Sequence, residues 1–447
     1  MTHDAPLNPT HDPQRRSWLP AAGLPETDFP VQNLPLGIFV DGTERRPAVA
    51  IGDTLVDLRA ADAAGLFEAE AAIAVRAASG SLNGLMALGP GPASALRARL
   101  SELLREGGDP ALRTRAERLL RPLASVEMAL PSEVGDYTDF LTSLHHTARH
   151  GKFKQLKDPV PPVFHALPVA YHGRASSIRV SGSAVQRPHG QWRDADGTLR
   201  FGPVETLDFE LELAALIGRG NALGSPVLLD AAPDHIFGYA LLNDWSAKSV
   251  QWWEQMLGPF LGKSFMTTLS PWVVTSEALL PFVAAAPLRA PDAPPLLPHL
   301  DSAHNRAAGG LDIALEAWLS TARMRDAGQP AQRISATHLA NLSWTFGQML
   351  AHHSSNGCNL RPGDVLGSGT VSGAADDSRA CLTEITSAGR DALTLASGES
   401  RLWLHDGDEI ELRARASAAG RVSIGFGPCS GRITAAIAWP GNEAGRA

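Results

Sequence analysis

The chain has 447 residues, of which 44% are hydrophobic and 19% charged, and a net charge of −8 at pH 7. That length allows more than one domain and a well-buried core without disulfide staples. The acidic balance and scattered basic residues argue against nucleic acid or an anionic membrane as the main partner. Cys358, Cys381 and Cys429 are widely spaced and form no C-x-x-C pair, so they suggest neither a disulfide scaffold nor a thiolate zinc site. The N-terminus has no apolar signal region, and no apolar run approaches the ~20 residues that span a bilayer. The expectation is a soluble protein of the reducing cytoplasm.

In chain order, residues 1–28 are polar and rich in Pro and His and read as an arm. "LPLGIFVDGTERRPAVAIGDTLVDL" predicts short strands joined by turns at Asp41-Gly42 and Gly52-Asp53. Leu96, Leu100, Leu103 and Leu104 share one helical face before Gly107-Gly108, and Leu112, Ala116, Leu119 and Leu120 repeat the pattern up to Pro122. Residues 29–122 thus read as a small β-rich domain with helical connectors.

From residue 123 to 447 the texture is that of a larger, mixed, mostly β domain. "VSGSAVQRPHGQWRDADGTLRFG" and "PFVAAAPLRAPDAPPLLPHL" read as loop-rich. "SATHLANLSWTFGQMLAHHSSNG" reads as one helix, with Leu339, Leu342, Phe346 and Leu350 on one face and a stop at Asn356-Gly357.

Two stretches imitate nucleotide motifs. "GPFLGKS" is one residue short of a P-loop and follows a bulky segment, while "GRGNALG" has the wrong spacing for a dinucleotide fingerprint, and Pro226 spoils the helix that should follow it. No H-E-x-x-H or G-x-S-x-G is present.

The informative stretch is "ETLDFELELAALIG". As a strand it sets Asp208, Glu210 and Glu212 on one face and Phe209, Leu211 and Leu213 on the other. "DEIELRA" alternates in the same way beside Arg413 and Arg415, where a solvated edge strand explains it, so alternation alone is weak. Company strengthens the case. "GDYTDF" carries Asp136 and Asp139 shortly before His145 and His146, and "LLNDWSAK" ends an apolar run at Asp244. Carboxylates converging from separate strands suit a hard divalent cation, and a nearby neutral His can act as general base. Turn-capping aspartates and surface histidines are the competing reading.

"FPVQNLPLGIF", "DYTDF", "VAYHGRASSI", "LDFELELA", "HIFGYALLNDWSA", "LGPFLGKSF", "TLSPWVV", "HHSSNGCNLRPGDVLGSGTVSG" and "GFGPCSG" follow one another in an order that resembles the fumarylacetoacetate hydrolase family, from about Phe29 to Gly431. The resemblance implies a small SH3-like N-terminal barrel before a catalytic β-roll domain, a homodimer, and hydrolysis of a carbon–carbon bond in a 1,3-diketo acid during tyrosine and homogentisate breakdown. It implies Mg²⁺ or Ca²⁺ held by Asp139, Glu210, Glu212 and Asp244, with Lys263 and Thr267 beside the ion. His146 matches the general base and Glu384 the acid that orients it. Lys263, Lys248 and Gln251 match donors to a developing oxyanion, and Tyr171, Gln251 and Thr370 match substrate contacts.

Four places depart from the family pattern. Leu141 and Gln255 stand where tyrosines are usual, Lys248 replaces an arginine, and "HTARHGKFKQ" leaves the substrate-carboxylate arginine without a certain counterpart, Lys154 being nearest. These changes fall in the substrate shell and predict either fumarylacetoacetate or a related diketo acid as substrate. Two other readings stay open: an enolate-stabilising decarboxylase or isomerase, and an inactive binding paralogue.

Overall fold

Two tight turns organise the first sheet. Asp41 pairs with Glu44 and Ile51 with Thr54, each across a two-residue turn whose first residue, Gly42 or Gly52, has a positive φ, 64° and 57°. In the computed structural model, which describes residues 7–289 and 293–440, these hairpins belong to a five-stranded antiparallel sheet. Its order is Leu120–Pro122, Thr54–Asp57, Glu44–Ile51, Leu36–Asp41, Glu127–Ala129. The last strand lies beyond the expected boundary at residue 122, because Ile38 to Val40 still offer a pairing edge to it.

Between Asp57 and Leu120 run five helical segments, of which Pro90–Leu104 is the longest and buries all four predicted leucines. The following helix, Pro110–Glu117, is shorter than its periodicity predicts: Leu120 turns into the strand that pairs with Val56.

The expected N-terminal arm is docked from residue 8 onward. Asn8 caps a short 3₁₀ turn, Pro9–His11, and the buried His11 ring lies 2.8 Å from the carbonyl of Glu277. A Cβ on Gly52 would approach the backbone of Ala22 to 2.7 Å, so the turn and the arm are in intimate contact.

The second region holds an eight-stranded mixed sheet in the order Val169–Gly173, Tyr137–Leu141, Val365–Gly367, Leu211–Ile217, Ile236–Asn243, Thr267–Leu269, Ile178–Val180, with Val274–Thr275 also on Ile236–Asn243. A six-stranded sheet packs against it, built from Gln332–His338, Ile313–Ser320, Glu409–Ala416, Cys429–Thr434 and Ala184–Gln186, with Ile424–Gly425 on Glu409–Ala416. The β-dominated, two-part fold expected from the sequence is therefore present.

The strand Leu211–Ile217 is fully buried because both its faces meet cores. Leu211, Leu213, Ala215 and Ile217 join the core between the two large sheets. Ala214 and Leu216 join a second core that includes Ile38 and Val49 of the small sheet.

Three local expectations change. The single helix read over 335–357 is a strand, Gln332–His338, then a turn, then a helix restricted to Phe346–Ser354. Thr345 and Gln348 form a reciprocal capping box that fixes the late start. The supposed loop after Val180 contains a hairpin, His189–Arg193 with Leu199–Pro203. The comparison strand Glu409–Ala416 is interior to its sheet, with its outward acids matched by arginines: Glu409 to Arg432 and Glu411 to Arg413. Residues 290–292 of the Pro/Ala-rich stretch lie outside the described residues.

Candidate active site

Three strands bring the acidic residues together. Asp139 comes from Tyr137–Leu141, Glu212 from Leu211–Ile217, and Asp244 follows Ile236–Asn243. All three are at most 2% exposed, and one carboxylate oxygen from each lies within 4.8 Å of the other two. The parallel pairing of Gly367 with Asp139 makes the approach possible, since a Cβ on Gly367 would lie 2.4 Å from Asp139 Oδ1. The backbone N–H of Gly369 donates to both Asp139 Oδ1 (3.2 Å) and Glu212 Oε2 (3.1 Å).

Glu212 Oε1 is buried with no hydrogen-bond partner. Burial, then repulsion among these carboxylates, pushes Asp139 and Glu212 well above the usual carboxylate range.

Glu210 stands beside this trio rather than in it. Its Oε1 meets Lys248 Nζ at 2.5 Å, and its Oε2 meets Lys263 Nζ at 2.5 Å. Although burial opposes its charge, the two ammonium groups and His146 hold it well below the usual range. Lys263 also reaches Asp244 Oδ2 at 2.7 Å, which places an ammonium between two carboxylates. Both lysines are buried, and their carboxylate partners outweigh burial and keep them charged. Asp244 is completed by the Tyr171 hydroxyl (2.7 Å) and the Thr267 hydroxyl (3.1 Å).

His146 sits in the first turn of the helix Leu144–Phe153, whose start is fixed by Ser143 accepting from the His146 N–H. Its Nδ1 lies 2.6 Å from Glu384 Oε1. Glu384 accepts further bonds from Ser372 Oγ (2.5 Å) and Arg149 (2.7 Å). Burial works against the Glu384 charge, but His146, then His150 and the Ser372 hydroxyl, hold its carboxyl far below the ordinary range.

Arg149 and Ser372 escaped the sequence reading. An acid paired with a helix histidine carries no local signal for them, although Arg149 stands one turn beyond His146 on the same helix.

The expected single strand is broken: Asp208 lies in a separate short strand, Leu207–Asp208, which pairs with Ser246–Ala247, and Glu210 falls between it and Leu211–Ile217, so Asp208 has another task. It is fully buried and accepts from the backbone N–H groups of Leu382 (2.7 Å) and Thr383 (2.8 Å) and from the Thr383 hydroxyl (2.6 Å). Those groups open the short helix Leu382–Ile385 that carries Glu384. Asp136, by contrast, lies at the surface, paired with Arg361 at 2.6 Å.

Of the remaining expected positions, Gln251 has a buried amide oxygen without a partner, and Thr370 is buried. Lys154 Nζ donates to Gln255 Oε1 at 3.1 Å, so two of the departures from the family pattern touch each other. Burial, followed by Lys248, lowers the Lys154 pKa. Leu141 ends its strand opposite Val169, half-buried.

Comparison with known proteins covers nearly the whole chain. Residues 137–434 match the family model described as "Fumarylacetoacetate (FAA) hydrolase C-terminal", and residues 32–131 match "Fumarylacetoacetase N-terminal". The chain is 42% identical over 434 residues to a fumarylacetoacetase of Oryza sativa, covering 94% of this chain and 98% of that one. It is 41% identical over 435 residues to that of Bos taurus, covering 95% and 100%, and 39% identical over 433 residues to that of Homo sapiens, covering 94% and 99%. The chain belongs to the fumarylacetoacetate hydrolase family.

Proposed function

We propose that the chain hydrolyses a carbon–carbon bond of a 1,3-diketo acid, with fumarylacetoacetate, the substrate its relatives are named for, as the first candidate and fumarate and acetoacetate as products. The observation that carries this reading is that a histidine–carboxylate dyad stands close enough to Glu210 to act on its charge, while Lys263 joins Glu210 to the buried carboxylate trio.

The donor set suits Mg²⁺ or Ca²⁺, which favour oxygen ligands. Four carboxylates, Asp139, Glu210, Glu212 and Asp244, face two ammonium groups, Lys248 and Lys263. That leaves two negative charges when all are ionised, the complement of one divalent cation. The orphaned Glu212 Oε1 is an acceptor awaiting a partner. Asp139, Glu212 and Asp244 would hold the ion, with Glu210 as the fourth carboxylate. Such an ion supplies charge stabilisation to a diketone oxygen and to the departing enolate.

The protein's own groups account for the proton movements. Glu384 fixes His146 through Nδ1, leaving Nε2 to accept a proton from water. The water oxygen adds to a carbonyl carbon. The bond to the neighbouring carbon breaks, and its electrons become the enolate. The proton on Nε2 returns to that carbon. Lys263, Lys248 and Gln251 are the donors for the oxyanion, where each aligned donor is worth about 3 kcal/mol. Tyr171 and Thr370 contact substrate, as do Leu141, Gln255 and Lys154 in the altered part of the shell. The dyad favours hydrolysis over decarboxylation or isomerisation, because hydrolysis needs an activated water.

Losing two phenol hydroxyls changes the hydrogen bonds that discriminate substrates. We infer that a related acylpyruvate or β-diketo acid is turned over at least as well as fumarylacetoacetate. Steady-state kinetics on a diketone panel tests this. A kcat/KM on fumarylacetoacetate matching that of its relatives, with no better substrate, would overturn the altered specificity. No turnover of any diketo acid would overturn the hydrolase reading.

The same reading divides the chain into a small N-terminal barrel-like domain ending near residue 131 and a catalytic domain from about residue 137, with a second copy as partner. Trp253, Met256, Leu257 and Phe260, all strongly exposed on one segment, are apolar enough to support that pairing. Three cysteines without disulfides fit the reducing cytoplasm. Among the described residues no helix is long and apolar enough to cross a membrane.

A further inference from the structure

On the other side of the dyad lies a cluster of different chemistry. His146 and His150 are four residues apart on the helix Leu144–Phe153, the spacing at which two imidazoles reach one ion. Their ring centroids are 4.1 Å apart. Cys381, fully buried at the start of the Glu384 helix, holds its Sγ 3.5 Å from Glu384 Oε1. One ligand atom from each of His146, His150, Cys381 and Glu384 lies within 4.8 Å of the other three.

Two of these four, His150 and Cys381, have no part in the hydrolysis. Moreover, His150 Nε2 is buried and has no hydrogen-bond partner, an unusual cost for an atom without a purpose. The cluster offers nitrogen and sulfur where the carboxylate trio offers only oxygen. Hard cations prefer the trio, whereas Zn²⁺ and its neighbours prefer imidazole and thiolate. A tetrahedral zinc needs ligand atoms roughly 3.3–3.7 Å apart; Cys381 Sγ and Glu384 Oε1 already stand 3.5 Å apart, and the 2.6 Å contact between His146 and Glu384 opens as the ion enters.

We propose that His146, His150, Cys381 and Glu384 form a second metal site, selective for Zn²⁺ or a similarly thiophilic divalent ion, whose occupation switches hydrolysis off. Binding releases the Cys381 thiol proton to solvent, leaves both imidazoles neutral and transfers no electrons. Burial, and then the Glu384 charge, pushes the Cys381 thiol up, so without such an ion it stays protonated and inert. Lys248 and Arg149, the latter on Glu384 Oε2 at 2.7 Å, oppose a cation here, while the neighbouring Asp208 and Glu210 offset Lys248. The site stands on its own geometry. The switching-off rests on the reading of His146 as the general base.

The full-length protein, stripped of metal and then saturated with Mg²⁺ to fill the oxygen site, is titrated with Co²⁺ as a spectroscopic stand-in for zinc. A thiolate-to-cobalt charge-transfer absorption should appear in the near ultraviolet, vanish in Cys381→Ser and Cys381→Ala, weaken in His150→Gln, and be displaced by Zn²⁺. Its absence from the wild type, or its persistence in both Cys381 variants, would overturn the site. In parallel, the Zn²⁺ concentration that halves the rate, referred to each variant's own zinc-free rate, should rise at least tenfold in Cys381→Ser and His150→Gln. A cobalt band in the wild type without inhibition by zinc would uphold the site and overturn His146 as the base.

Discussion

Asp208 Oδ2 accepts both the backbone N–H and the hydroxyl of Thr383, a residue 175 positions further along the chain. Through that contact the segment that carries Glu210 and Glu212 also clamps the helix that carries Glu384, so the spacing between carboxylate cluster and dyad is set by one backbone segment. Asp208→Asn keeps one acceptor oxygen but loses the charge that two helix N–H groups share. It should destabilise the protein by roughly 1–3 kcal/mol. It should also lower kcat more than it raises KM, and move the pH profile of kcat, because Glu384 no longer holds His146 in one orientation. Chemical denaturation and pH–rate curves check this. A loss of stability with an unmoved profile would reduce Asp208 to a structural cap.

His146→Ala should lower the hydrolytic rate by about 10²–10⁴-fold, the usual worth of a positioned general base. Binding of Mg²⁺ or Ca²⁺, followed by calorimetry, should persist, since no ligand of the carboxylate trio is touched. Retained turnover would remove His146 from the mechanism.

Lys263 joins Glu210 to Asp244. Replacing it with Met leaves buried Asp244 without its ammonium and Glu210 with Lys248 alone, and breaking a buried pair in this way costs about 3–5 kcal/mol. The loss should be larger in chelator than in saturating Mg²⁺, because a divalent ion supplies the missing charge. Equal losses in both conditions would separate Lys263 from the cation site.

The raised carboxyls of Asp139 and Glu212 give metal binding a pH dependence of definite sign. Without metal the folded protein retains protons that the unfolded chain releases in the ordinary carboxylate range. Its stability therefore falls as pH rises from that range towards the raised values. A divalent ion favours the deprotonated cluster and reverses this trend. The gain in Tm on adding Mg²⁺ or Ca²⁺ should be larger near about pH 8 than near about pH 5.5, as differential scanning calorimetry would show. An equal gain at both would contradict the assignment of the raised carboxyls to the metal cluster.

Lys154 is, with Lys248, one of two cations at the altered positions, and its ammonium donates to Gln255. Lys154→Met should raise KM for a diketo acid roughly tenfold with a smaller change in kcat, as expected for loss of a charge-assisted bond to a substrate carboxylate. An unchanged KM would place the carboxylate elsewhere.

The helical face of Leu96, Leu100, Leu103 and Leu104 was legible in the sequence because period and burial coincide there, whereas the acid alternation marked Glu210 and Glu212 as candidates although the stretch is buried throughout and its strand is interrupted at Phe209 and Glu210. The division of labour among Asp208, Glu210 and Glu212 was not legible. It depends on which groups arrive from Lys248, Lys263 and Thr383, and a strand's period is silent about partners supplied by distant chain. Arg149 and Ser372 were missed for the same reason. The helix over 335–357 was overextended because Leu339 and Leu342 fit a helical period by chance, while the capping pair Thr345 and Gln348, which fixes the true start, was overlooked.

Ala214 and Leu216 point the same way as Glu212, and they share a core with Ile38 and Val49 of the N-terminal sheet. The N-terminal region thus shares its core with the strand that carries Glu212 and is not an appendage to it. A truncated form beginning near Tyr137 would wet the far end of the very face that gathers the carboxylates, and would need a substitute lining, from another chain or another fold, before it could gather them again.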